Sequence, residues 1–231
     1  MQKQKELVIG IDDSGRGPVI GPMVLAGVLI NKEQEKELKK LGVRDSKTLT
    51  SNRRETLAKI IKEKSISNHI SLTHPDEIDK RTEMGTNLNK LEAVKAAEII
   101  NKLNHKANHN QKLKVILDCP SPNIPAWETY LLKHIHFPDN LTFLCAHKAD
   151  RDYVVVSAAS ILAKSKREEE IAELKKKIGK DFGSGYPSDP ITKEFLEKYF
   201  KEHKKDGIFR ETWGTISNFK KKKEQKKLLD F

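Results

Sequence analysis

Residues 7–22 read LVIGIDDSGRGPVIGP. Four apolar side chains, Leu7, Val8, Ile9 and Ile11, lead into two carboxylates, Asp12 and Asp13, and then into the glycine-flanked Arg16. Glu6–Asp12 is apolar on both faces, which predicts a central strand covered on two sides. Met23–Ile30 is a second apolar run across the Gly-Pro turn, so strand leads to strand. Adjacent strand residues point to opposite faces, so Asp12 and Asp13 share one site only if Asp13 lies past the strand end.

Outward from this stretch, charged helices are expected near 32–41 and 51–63, the second capped by Thr50 or Ser51. A short strand follows at about 65–72. A helix over about 87–105 carries Ala93, Ala96, Ala97, Ile100 and Leu103 at helical spacing. KLKVILDCP repeats the grammar of the opening, an apolar strand that ends on Asp118 and stops at Pro120. A helix near 125–134, the strand LTFLCAH, a long helix from about 155 to 178 and a helix near 191–202 complete the reading. Strand–strand followed by alternating helices and strands indicates an α/β fold with a mixed sheet.

The chain has 231 residues, enough to bury a core without disulfides or structural metal. It lacks an apolar run of the roughly 18–20 residues that span a bilayer and a secretory apolar segment near Met1, so no membrane is expected. Cys119 and Cys145 have no metal-ligand spacing and read as buried free thiols of a cytoplasmic protein. The formal charge is +11, with 44 basic against 33 acidic residues. A basic surface of this kind suits a polyanionic partner such as nucleic acid, though ribosome-associated and membrane-surface proteins share it.

Asp12, Asp13, Asp118 and Asp150 stand out. If the strands bearing Asp12 and Asp118 are parallel neighbours, their ends place both carboxylates in one crevice. Clustered carboxylates repel one another, and an all-oxygen set suits Mg²⁺ or Mn²⁺ rather than Zn²⁺. Two such ions can activate water for in-line attack on a phosphodiester. Against this stands the plain reading that each Asp caps a helix or opens a turn.

GRGPVIG misses the spacing of a dinucleotide-binding loop, and Pro18 with a following strand replaces the helix start that such a loop requires. Its glycines would instead let backbone amides approach a ligand. On the long helix Ser157, Ser160, Lys164 and Arg167 fall on one stripe, suited to successive phosphates or to a solvated face. Tyr186, between Gly185 and Pro187, presents an aromatic on a stiff turn, as a stacking platform requires.

GIDDSGRGPVIGP, GVRDSKTLT, GTNLNKLEA, VILDCP, HKADRDYVVVSAASILAK, GSGYPSDPIT and RETWGTI together resemble type 2 ribonuclease H, nearly end to end and closest to its archaeal branch. The resemblance implies an RNase H-like fold with a five-stranded mixed sheet and a helical C-terminal part. Its expected divisions are a core over 1–181, a helical part over 182–216 that completes the substrate site, and a basic tail over 217–231. It implies hydrolysis of RNA in RNA/DNA hybrids and incision 5′ of single ribonucleotides in duplex DNA, leaving 3′-hydroxyl and 5′-phosphate ends. Asp12, Asp13, Asp118 and Asp150 would be the catalytic, metal-binding carboxylates for two Mg²⁺ or Mn²⁺ ions. Gly15, Arg16 and Gly17 would read the ribose 2′-hydroxyl, Lys47 would contact phosphate, and Tyr186 would stack on the following sugar.

The family usually has Asp-Glu where this chain has Asp12-Asp13, which draws the second carboxylate back by one carbon. A hybrid-binding protein with impaired cleavage is therefore an alternative at this stage. A junction resolvase is opposed by the Gly-Arg-Gly loop and Tyr186, since a DNA-only enzyme has no 2′-hydroxyl to read. A type 3 enzyme would usually have lysine at Arg16. The final residues, FKKKKEQKKLLDF, place Gln225, Leu228 and Phe231 at three-residue spacing and resemble the peptide by which replication enzymes dock on the DNA sliding clamp. A solvated lysine tail is the plain alternative. The expected state is a monomer.

Overall fold

A computed structural model describes residues 6–44, 49–107 and 111–219. These divide into two compact units: 1–14, 24–72 and 89–167 form the first, and 15–23, 73–88 and 168–231 the second, within the described residues.

The first unit is built on a five-stranded sheet of order β3-β2-β1-β4-β5. Its strands are β1 (Leu7–Ser14), β2 (Met23–Asn31), β3 (Ser67–Thr73), β4 (Leu113–Asp118) and β5 (Leu141–Ala146). β1 runs antiparallel to β2 and parallel to β4, and β4 runs parallel to β5, so the sheet is mixed as expected. Helices α1 (Lys32–Lys40), α2 (Ser51–Lys64), α4 (Leu88–Lys106), α5 (Ile124–Leu132), α6 (Ala149–Asp152) and α7 (Val154–Ile178) surround or follow these strands. Asn31 and Gln34 form a capping box at the start of α1, and the Thr50 hydroxyl caps α2.

Both faces of the central strands are covered, which is why β1 and β2 read as continuous apolar runs. Val24, Ala26, Val28 and Ile30 of β2 pack in one buried cluster with Val155, Val156, Ala159 and Leu162 of α7. On the other face, a Cβ added at Gly27 would lie 2.3 Å from Ile99 and 2.9 Å from Leu103, both on α4. Gly10 allows an approach between two main chains. A Cβ there would sit 2.4 Å from the Val155 backbone, so strand and helix start touch main chain to main chain.

The second unit has its own core of Val19, Ile20, Ile171, Phe182, Phe195, Phe200, Phe209 and Ile216. It contains α3 (Pro75–Glu83), α8 (Pro190–His203) and the part of α7 beyond Arg167. THPDEID, for which the sequence suggested no element, forms α3: Pro75 opens it and Asp76 and Glu77 lie in its first turn, where acidic side chains suit the helix dipole. Cys145 is only half-buried, not buried as expected; Cys119 is buried, and neither is in a disulfide. No helix among the described residues is long and apolar enough to cross a membrane.

Candidate active site

β1 carries Asp12 and β4 carries Asp118. Ile11 pairs with Leu117 across this parallel ladder, so both strands reach the same end of the sheet at their acidic residue. Asp150 arrives by another route. After β5 the chain reverses at Lys148, whose backbone is left-handed (φ 60°), and enters the single turn α6. The Ala149 amide donates to Asp118 Oδ1 at 3.3 Å, and the Tyr153 amide closes the turn on the Ala149 carbonyl. Asp118 thus anchors the turn that presents Asp150.

One oxygen from each of Asp12, Asp118 and Asp150 lies within 4.8 Å of the others. Asp12 and Asp150 are 6% and 2% exposed. Burial holds the Asp12 carboxyl well above the usual carboxylate range, and the charges of Asp13 and Asp118 push the same way. The Ser160 hydroxyl and the Asp13 amide, which donates to Asp12 Oδ1 at 2.7 Å, oppose that shift. Three hard oxygen donors drawn together at an electrostatic cost fit a divalent cation such as Mg²⁺ or Mn²⁺, whose charge removes the repulsion.

Asp13 does not lie past the strand. β1 continues to Ser14, with Asp13 opposite Leu25 in the antiparallel ladder. Regular alternation then turns its side chain from the face that Asp12 uses, and it stands outside the three-carboxylate cluster.

The helix stripe also needs correction. Ser157 and Ser160 are 1% and 0% exposed, so the hydroxyl end of the stripe is buried rather than solvated. The Ser160 hydroxyl hydrogen-bonds Asp12. Arg167 is buried and Lys164 half-buried, and both interact within the protein. Lys47, Gln225, Leu228 and Phe231 lie outside the described residues.

The second unit brings together Gly15–Gly17 and Tyr186. A Cβ on Gly17 would meet the Tyr186 ring at 3.2 Å, so the bare glycine is what lets this aromatic lie against the loop. Tyr186 remains 37% exposed. Its turn is tied down by Asp189, which accepts from the Ser184 amide at 2.7 Å and the Ser184 hydroxyl at 2.6 Å while capping α8. The Gly185 carbonyl accepts from Val19 and Ile20.

Sequence reasoning passed over two residues here. Arg210, in RETWGTI, is fully buried and donates to main-chain carbonyls of the loop 15–21. Asp79 on α3 accepts from the amides of Glu211 and Thr212. A buried arginine looks like any surface arginine in a single sequence, and the motif RETWGTI was the one signal that could have drawn attention to it.

Residues 9–216 match the family model described as Ribonuclease HII. A ribonuclease HII of Methanocaldococcus jannaschii is 41% identical, covering 96% of this chain and 99% of that protein. The crystal structure of ribonuclease H2 from Pyrococcus horikoshii superposes with a TM-score of 0.82 at 37% identity, covering 94% of this chain and 98% of that one. The ribonuclease HII in a PCNA complex from Archaeoglobus fulgidus superposes with a TM-score of 0.77, also at 37% identity, over 90% of this chain and 95% of that one. The RNase H-like sheet, the three clustered aspartates and similarity over nearly the whole length together place the chain in the ribonuclease HII family, endoribonucleases that act on RNA/DNA hybrids with a divalent metal.

Proposed function

We propose that this chain incises duplex DNA on the 5′ side of an embedded ribonucleotide, besides hydrolysing RNA in longer hybrids, as a cytoplasmic monomer. The observation that carries this reading is the cluster of Asp12 and Asp118, on neighbouring parallel strands, with Asp150 of α6. Two divalent cations bound there would supply the charge that activates water and stabilises the departing 3′-oxygen. Water oxygen bonds to phosphorus, the bond to the 3′-oxygen breaks, and 5′-phosphate and 3′-hydroxyl ends result.

The protein's own groups do the positioning. Asp118 fixes the α6 turn, and Ser160 holds Asp12. Gly15, Arg16 and Gly17 read the 2′-hydroxyl through close main-chain approach. The exposed ring of Tyr186 stacks on the next sugar, where a second 2′-hydroxyl would interfere. Lys47 and Lys164 serve phosphates. Asp13 lies outside the aspartate cluster, and its charge adds to the upward push on the Asp12 carboxyl. Gln225, Leu228 and Phe231 dock on a sliding clamp, a reading supported by the clamp complex of the Archaeoglobus relative.

The test is to map cleavage of a duplex bearing one ribonucleotide, in Mg²⁺ and separately in Mn²⁺. A cut on the 5′ side that leaves a 3′-hydroxyl is expected in at least one metal. Binding without cleavage in either would instead establish the hybrid-binding alternative.

A further inference from the structure

We infer that Arg210 is a positioning residue that sets the ribose selectivity of the loop 15–17, an inference that rests on the proposed 2′-hydroxyl reading by that loop. The Arg210 side chain is fully buried. Its Nη2 donates to the Gly15 carbonyl at 2.6 Å, its Nη1 to the Arg16 carbonyl at 2.8 Å, and its Nε and Nη2 to the Gly21 carbonyl at 3.1 and 3.0 Å. Every nitrogen of the planar guanidinium is therefore engaged with one short stretch of main chain.

The consequence follows from peptide geometry. In a trans peptide the C=O and the next N–H point in opposite directions. With the carbonyls of Gly15 and Arg16 turned onto the guanidinium, the amides of Arg16 and Gly17 point away from it. Gly17 is half-buried, and its N–H has no hydrogen-bond partner among the described residues. That amide is a donor held ready for a ligand oxygen. A cation on the carbonyl side also polarises each peptide and strengthens its N–H as a donor. Arg210 thus fixes both direction and strength of donors on the face that would meet a ribose.

Arg210 is itself held from two sides. The Trp213 ring lies 5.2 Å from its guanidinium carbon, and the Asp79 carboxylate fixes the amides of Glu211 at 2.7 Å and Thr212 at 3.0 Å. The flat fork of three nitrogens is what the carbonyl set requires. Lysine, a compact point charge, cannot reproduce it.

The test compares Arg210→Lys with wild type on two duplexes identical but for one ribose or deoxyribose. Affinity is measured with Ca²⁺ in place of Mg²⁺, and incision rate with Mg²⁺. Arg210→Lys should bind the all-DNA duplex within about twofold of wild type. Its preference for the ribonucleotide duplex should fall by about tenfold, about 1.4 kcal/mol, with incision reduced at least as much. A merely structural role would weaken binding to both duplexes equally, and that result overturns the inference. If Arg210→Lys does not fold, Asp79→Asn loosens the same anchor one step away and should erode the same ratio; an unchanged ratio there overturns the inference. Wild type that shows no ribose preference at all would remove the 2′-reading itself, a failure distinct from preserved selectivity in the variant.

Discussion

Asp12 shows how a functional site is assembled against local stability. It is buried beside two other carboxylates, and its protonated form is favoured for that reason. In metal-free buffer at neutral pH, Asp12→Asn should therefore raise the melting temperature, by about 2–4 °C if about 1 kcal/mol of repulsion is removed. Saturating Mg²⁺ should reverse the order, because only wild type gains full ligand-linked stabilisation. Asp189 is the opposite case. Donation from the Ser184 hydroxyl and amide and the Ile191 amide holds its carboxyl below the usual range. Its stabilising contribution is present above the unfolded value of about 3.9 and is lost as pH falls through the lower folded value. Asp189→Ala should lower the melting temperature by about 2–4 °C at neutral pH, and the difference should narrow at a pH below the unfolded value of about 3.9. Thermal scans at both pH values check this.

The contact of β1 with the start of α7 depends on Gly10. Replacing a strand glycine by alanine ordinarily stabilises, but here the added methyl would meet the Val155 main chain at 2.4 Å. Gly10→Ala should cost about 1–3 kcal/mol in urea unfolding, as overpacking does. It should also slow incision, because the displaced strand carries Asp12 two residues later. The elements themselves were largely legible: apolar runs ending near Gly, Pro or Asp marked β1, β2, β4 and β5, a short strand was expected near β3, and the long helices showed in their spacing. The helix α3 was not, because THPDEID is short and polar and its stability comes from Ile78 and Pro75 packing as much as from its ends. The end of β1 was misplaced by two residues. A carboxylate pair looks like a turn, yet the ladder to Leu25 and Val24 carries the strand through both. Hydroxyl spacing along α7 is visible in sequence, but the burial of Ser157 and Ser160 is not.

Taken as a whole, the molecule separates two tasks. The sheet unit gathers Asp12, Asp118 and Asp150, and the second unit holds Gly17 against Tyr186 with Arg210 behind the loop. The site residues on strand ends could be found from sequence because the apolar runs point to them. Arg210, Asp79 and Ser160 could not, because they act on main chain or on other side chains from distant parts of the sequence. The net charge of +11 is consistent with a polyanionic substrate but does not choose among nucleic acids. In the proposed reading the loop 15–17 and Tyr186 make that choice, and the carboxylates carry out the cleavage. The most direct test is therefore the rate at which wild type and Asp118→Asn incise a duplex containing one ribonucleotide in Mg²⁺, with melting curves confirming that both are folded. A cut on the 5′ side by wild type, slowed by at least about 10³-fold in Asp118→Asn, is the predicted result. Undiminished cleavage by the folded variant would show that the three-aspartate cluster is not the catalytic centre.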